Sequence, residues 1–172
     1  MSKDFEADLK IGDYGEELWV KHLRSKGYTN VFMSDKDAPV YWDVMLADDD
    51  EVLTFEVKYD EKAYYWAEKH GRSPNLFLEY WSESREQPCG IMVLEADYLV
   101  YIMKRIPCGT PEAYVFRVQE LQSYLKKAAE NSTYRVVKNS VNGNNNVKGW
   151  AAPVEAVAKS ECGFVKQIKL KP

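Results

Sequence analysis

The sequence predicts a single α/β domain over residues 1–172, built on a mixed central β-sheet flanked by helices. Two observations carry this expectation. Segments in which apolar and polar residues alternate with period two are interspersed with segments of helical periodicity. A chain of 172 residues, 45% of them hydrophobic, is also long enough to bury one substantial core without disulfides or a structural metal. No internal repeat stands out, and the Asn- and Gly-rich run at 142–146 reads as a flexible surface loop within that domain.

The first helix is expected from Asp13 to about Lys26, with Asp13 as cap and Glu16 completing a capping box. Tyr14, Leu18, Trp19, His22 and Leu23 then share one stripe, Gly27 supplies the stop, and Glu16 falls at the rim of the apolar face. Segments 40–47 and 52–59, separated by the acidic turn 48–51, have the look of a hairpin. In the second of them Leu53, Phe55, Val57 and Tyr59 take one face, leaving Thr54, Glu56 and Lys58 on the other. An even-numbered loop centred between Asp49 and Asp50 makes paired numbers sum to 99, which sets Asp43 across from Glu56 with Cβ atoms about 5 Å apart.

Further on, the pattern predicts a short helix at 62–69 and strands at 75–81, 91–94, 98–103 and 113–118. A helix at 119–130 follows. Beyond it the chain loosens, and a helix at 154–159 and a strand at 164–170 close it.

Charge narrows the function classes. The net charge of -4 argues against a simple phosphate-binding protein, but residues 1–100 carry a balance of -11 and residues 101–172 one of +7. Cations can gather on one part and phosphate on the other. Cys89, Cys108 and Cys162 form no C-x-x-C pair, and His22 and His70 are far apart, which excludes a zinc or thiol redox centre and leaves the cysteines as reduced packing. No run of 18 apolar residues occurs, and the first ten residues carry charges where a secretory signal needs an apolar stretch; the expected location is the cytoplasm, with no membrane partner.

Three (D/E)-x-K tripeptides occur, at Asp8, Glu56 and Asp60, about the number chance provides. Glu56-Val57-Lys58 differs from the other two in context. It lies on an alternating strand, faces a strand bearing Asp43, and follows a helix bearing Glu16. Two facing carboxylates repel unless a cation sits between them, and Mg²⁺ takes one or two carboxylates plus a substrate phosphate. Asp43 and Glu56 suit that role. Lys58, on the same face as Glu56, is placed to hold or help deprotonate an attacking water and to offset phosphate charge.

In their order along the chain, Glu16, Asp43, Glu56 and Lys58 resemble the PD-(D/E)XK nuclease superfamily, specifically its small phage-type and Holliday-junction-resolvase-like members. The resemblance runs from about residue 12 to residue 101, and segments 75–80 and 90–98 look like the region after the motif in phage nucleases. Trp42 precedes Asp43 and Pro39 is displaced, so the family's Pro-Asp pair is absent. The resemblance implies a restriction-endonuclease-like core and a Mg²⁺- or Mn²⁺-dependent DNA endonuclease, in the host cytoplasm if phage-encoded. It implies Asp43, Glu56 and the Val57 carbonyl as metal ligands and Glu16 beside Lys58 in catalysis. Glu16 and Glu79 are candidates for a second ion or for orienting water, and each also has a plain structural reading, as a capping acid and as a solvent-facing strand residue. Duplex or branched DNA is the implied substrate, with Lys126, Lys127, Lys166 and Lys169 as candidate phosphate contacts and a homodimer as a plausible assembly. Tyr64, Tyr65 and Trp66 either pack inward or stack on bases. The competing reading is a DNA- or protein-binding module that keeps the scaffold and does not cut.

Overall fold

The apolar stripe of Leu18, Trp19 and Leu23 is the inner face of a helix, α1 (Lys3–Ser25), in the computed structural model, which describes residues 3–35, 41–48, 51–104, 109–141, 145–160 and 162–171. The helix begins ten residues before the expected cap. Asp13 and Glu16 therefore sit in its interior, and the capping-box explanation of Glu16 falls away. Gly12 and Gly15 inside a helix each cost about 1 kcal/mol relative to alanine. For Gly15 packing explains the choice: a Cβ there would stand 2.7 Å from the Cβ of Tyr59, so α1 rests its backbone on the strand that carries Tyr59. Gly15→Ala is expected to destabilise the protein by about 1–3 kcal/mol in urea denaturation, because both atoms are anchored at Cβ and neither can swing aside.

Strands β1 (Val31–Met33), β2 (Val44–Asp48), β3 (Glu51–Asp60), β6 (Tyr98–Met103), β7 (Glu112–Arg117) and β10 (Phe164–Lys169) form a six-stranded sheet in the order β1-β2-β3-β6-β7-β10. Only the β3–β6 ladder is parallel, so the sheet is mixed as expected. Strands β4 (Asn75–Ser82), β5 (Gln87–Pro88), β8 (Arg135–Val141) and β9 (Asn145–Pro153) build a second sheet, ordered β5-β4-β9-β8. Helices α2 (Ala63–Lys69), α3 (Val118–Glu130) and α4 (Val154–Lys159) complete the elements among the described residues. No helix among these residues is long and apolar enough to cross a membrane.

Alternation divides the core in two. Phe55, Val57, Val100, Ile102, Ala113 and Val115 point from the large sheet to α1, where Trp19 meets Phe55 edge to face. Leu99, Tyr101, Met103, Tyr114 and Phe116 point the other way, onto Leu76, Leu78, Trp150 and Ala152 of the second sheet and onto Leu121 and Leu125 of α3. The result is three layers, with the large sheet in the middle. Tyr101 ties the two sheets together, since its hydroxyl accepts the Phe77 N–H at 3.1 Å and donates to Asp60 Oδ2 at 3.2 Å.

Two expectations are corrected. Residues 91–94 are not a strand; a 3₁₀ turn occupies Gly90–Met92, with Gly90 at φ 53° and no room for a Cβ, which would lie 2.5 Å from the Glu79 carbonyl oxygen. The stretch after residue 130 does not loosen. It supplies β8 and β9, whose register runs from Arg135–Ala151 to Val141–Asn145, so Asn145 and Asn146 are strand residues while 142–144 lie outside the described residues. Also outside them are Cys108, Pro39 and the turn residues Asp49 and Asp50. Cys162 is buried, and its thiol donates to the Val157 carbonyl at 2.7 Å.

Candidate active site

The expected hairpin register holds. Val44 pairs with Phe55 and Asp48 with Glu51, each pair summing to 99. At the end of the ladder the Asp43 N–H donates to the Phe55 carbonyl at 2.9 Å, although Phe55 already pairs with Val44. Two consecutive residues thus share one partner, the arrangement of a β-bulge, which bends the strand and re-aims its side chain. Asp43 is therefore not simply across from Glu56. Its Oδ2 accepts the Val57 N–H at 2.7 Å, taking the place of the next rung. Within a strand the N–H and C=O of one residue point to the same edge, so the Val57 carbonyl also faces the edge where Asp43 stands.

From Glu56 onward that edge of β3 has no partner strand in β2, and β3 continues with only β6 beside it. Glu56 and Lys58 project from the face opposite α1, into a cleft of about 490 Å³ between the sheets. Lys58 Nζ lies 2.6 Å from Glu56 Oε1, with the Glu56 side chain 18% exposed and that of Lys58 58% exposed. Burial acts to lower the Lys58 pKa. The charge and hydrogen bond of Glu56, followed by the charges of Asp43 and Glu79, outweigh it and hold the ammonium above its ordinary value.

Glu16 reaches this group from α1. Ile11 and Gly12, the latter one turn before Glu16, line the same cleft, and the Gly15–Tyr59 contact holds the helix close to β3. Its carboxyl is pushed up to about 7, first by burial, then by the charges of Asp43 and Glu56, with Lys58 acting in the opposite direction. Three carboxyl groups from α1, the β2 end and β3 are thus electrostatic neighbours of one ammonium. Glu79 joins them from the second sheet, lining the cleft opposite Glu56 and Lys58. The sequence left open whether Glu79 faces solvent; it faces the cleft.

The other two tripeptides have different settings. Asp8 and Lys10 lie on α1 and not on a strand. Asp60 accepts the Lys62 N–H at 2.8 Å and the Tyr101 hydroxyl, binding its own turn and the neighbouring strand. Sequence reasoning passed over Tyr101 and Gly15, which shape the cleft and set the helix. An alternating strand with a tyrosine among aliphatic residues was the available sign of the first; the second had none, because it depends on a contact between residues 15 and 59.

The candidate phosphate contacts do not join this cluster. Lys126 and Lys127 are exposed on α3, and Lys166 and Lys169 lie on β10, three strands from β3 and hence about 14 Å across the sheet. Lys166 faces the α1 side, where its charge and that of Lys26 add to burial in lowering the His22 pKa.

Carboxylates together with a backbone carbonyl are the donor set of a hard divalent cation, and the excess of acid over ammonium leaves charge for one to neutralise. Among the described residues no three His, Cys, Asp or Glu side chains stand ready-spaced around a metal. Glu56 is drawn to Lys58 and Asp43 to the Val57 amide, so a bound ion takes over contacts that these groups make with the protein. Compared with known proteins, the chain matches no family model, no curated protein and no solved structure.

Proposed function

We propose that the protein is a Mg²⁺- or Mn²⁺-dependent DNA endonuclease that hydrolyses phosphodiester bonds of duplex or branched DNA. The observation that carries this reading is the gathering of Asp43, Glu56, Lys58 and Glu16 at the open edge of one strand, where burial and then the charges of Asp43 and Glu56 push the Glu16 carboxyl up to about 7. Asp43, Glu56 and the Val57 carbonyl are the residues that would hold the ion. When bound, the ion supplies Lewis acidity that lowers the pKa of water and neutralises phosphate charge.

The chain's own residues supply the rest. Lys58 carries a proton on Nζ and presents positive charge on the face of the cleft where a phosphodiester would lie, offsetting the charge that builds on the phosphoryl oxygens during in-line attack. Glu56 fixes the position of that ammonium through the 2.6 Å contact. Glu16, near 7, exchanges a proton at physiological pH and can accept one from an attacking water or hold it in place. Two copies would match the twofold symmetry of duplex DNA with one cleft per strand.

A binding module on the same scaffold is the second reading, and the engagement of Glu56 by Lys58 favours it. Purified protein incubated with supercoiled plasmid, a branched junction and single-stranded DNA decides between them. Cutting of at least one with Mg²⁺ or Mn²⁺, absent with EDTA and lost in Asp43→Asn, is the expected result; binding without cutting of any of the three supports the module.

A further inference from the structure

The outer face of α2 carries a second feature, one turn from the cleft. Ala63, Tyr64 and Ala67 are its buried face, whereas Tyr65 is 50% and Trp66 46% exposed. Of the three aromatics weighed in the sequence, Tyr64 packs inward and the other two do not. Trp66 donates its N–H to the Lys62 carbonyl, and His70 donates to the Trp66 carbonyl, so Lys62, Trp66 and His70 follow one another along a single helical stripe. Lys62 lines the cleft that holds Glu56 and Lys58. Trp66 is then about 6 Å further along the helix.

The stripe combines flat rings with positive charge. The His70 ring lies nearly parallel to that of Trp66, at 10° and 6.0 Å between centroids, and Lys69 Nζ sits 5.1 Å from the Trp66 ring and 6.0 Å from that of Tyr65. Arg72 is exposed two residues beyond His70. Glu68, the acid of this helix, faces the separate cleft lined by Tyr114 and Glu155. Half-open rings beside cations are what unpaired bases and their phosphates require: the π-faces receive bases of any sequence while the cations follow the backbone. Paired bases offer no such face, because both sides are stacked within the duplex.

We infer that Tyr65 and Trp66, flanked by Lys62 and Lys69, form a stacking platform for unpaired nucleotides next to the scissile phosphate, so that the substrate is DNA with a single-stranded arm or end. The inference rests on the nuclease reading for its position relative to the cut, but binding alone tests it. Fluorescence anisotropy in EDTA compares a labelled duplex bearing a ten-thymidine overhang with the same duplex made blunt. The wild-type chain is expected to prefer the overhang, and Tyr65→Ala/Trp66→Ala to lose about 10- to 100-fold in affinity for it with less than about twofold change on the blunt duplex. Trp66→Phe, which keeps a ring, should retain most of the affinity. Bromodeoxyuridine in the overhang, irradiated with the wild-type chain, should attach to Tyr65 or Trp66, a readout that does not depend on how a variant folds.

Equal affinity of the wild type for both probes, equal loss on both in the double variant, or crosslinks elsewhere would overturn the inference. Overhang preference without divalent-dependent cutting leaves the platform standing and removes the nuclease. Cutting without overhang preference does the reverse.

Discussion

Lys58→Ala is expected to lower Mg²⁺-dependent cleavage by about 10²- to 10⁴-fold, the range typical of a positioned proton-transfer group. Two properties of the site set this size. The ammonium faces the cleft, where the proposed reaction would place the phosphate, and against burial the charges of Glu56, Asp43 and Glu79 hold its pKa above the ordinary value, so it carries its charge at neutral pH. Lys58→Arg separates the possible contributions: a guanidinium retains the charge but cannot give up its proton, so recovery of activity assigns Lys58 an electrostatic role and none assigns it proton transfer. Single-turnover rates at saturating DNA are the measurement. Removing the ammonium also leaves Glu56, 18% exposed, without its ion-pair partner, at a cost of about 1–3 kcal/mol. Melting curves must therefore accompany the kinetics. A rate within tenfold of the wild type, from a folded variant, would remove Lys58 from the chemistry.

The parts of this site that were legible in the sequence are those whose geometry is set by nearby residues. Alternation along β3 placed Glu56 and Lys58 on one face, and a short turn fixed the register that brings Val44 to Phe55. The bulge at Asp43 was not legible. Nothing in the local sequence says that the strand bends there, and the bend decides that its carboxylate meets the Val57 amide. The start of α1 was misplaced for a related reason: Gly12-Asp13-Tyr14-Gly15 has the composition of a helix boundary, but the contact of Gly15 with Tyr59 repays its poor helix propensity. The second sheet was half seen. β4 announces itself by its apolar and aromatic residues, whereas β8 and β9 intersperse Val with Asn and Lys, and their strand character comes from long-range pairing: β9 pairs with β4, Asn75 with Pro153 at one end, and β8 pairs in turn with β9. The 3₁₀ turn at Gly90 replaced an expected strand because its backbone must pass close over Glu79. Local pattern thus placed the two residues of β3, and long-range contacts placed the acids around them.

The crowding of those acids has a thermodynamic consequence that can be measured without substrate. Glu16 titrates near 4.5 when unfolded and near 7 when folded, so between these values the folded chain keeps a proton that the unfolded chain has released. Stability of the metal-free protein therefore falls as pH rises through that window and stays reduced above it. The full gap corresponds to about 3 kcal/mol, and partial exposure of the side chain trims it to about 1–3 kcal/mol. Glu16→Gln has no proton to lose. Urea denaturation in EDTA is expected to find the variant no more stable than the wild type near pH 4.5 and about 1–3 kcal/mol more stable at pH 8. A divalent cation opposes the same repulsion, so Mg²⁺ should stabilise the wild type more at pH 8 than at pH 5.5 and should narrow its difference from Glu16→Gln. The order of causes matters to the interpretation, because burial alone raises the Glu16 pKa but gives Mg²⁺ no reason to act; repulsion from Asp43 and Glu56 does. If the two proteins differ by the same amount at every pH, Glu16 does not share a field with the other carboxylates, and the donor set loses the excess charge that suits it to a cation.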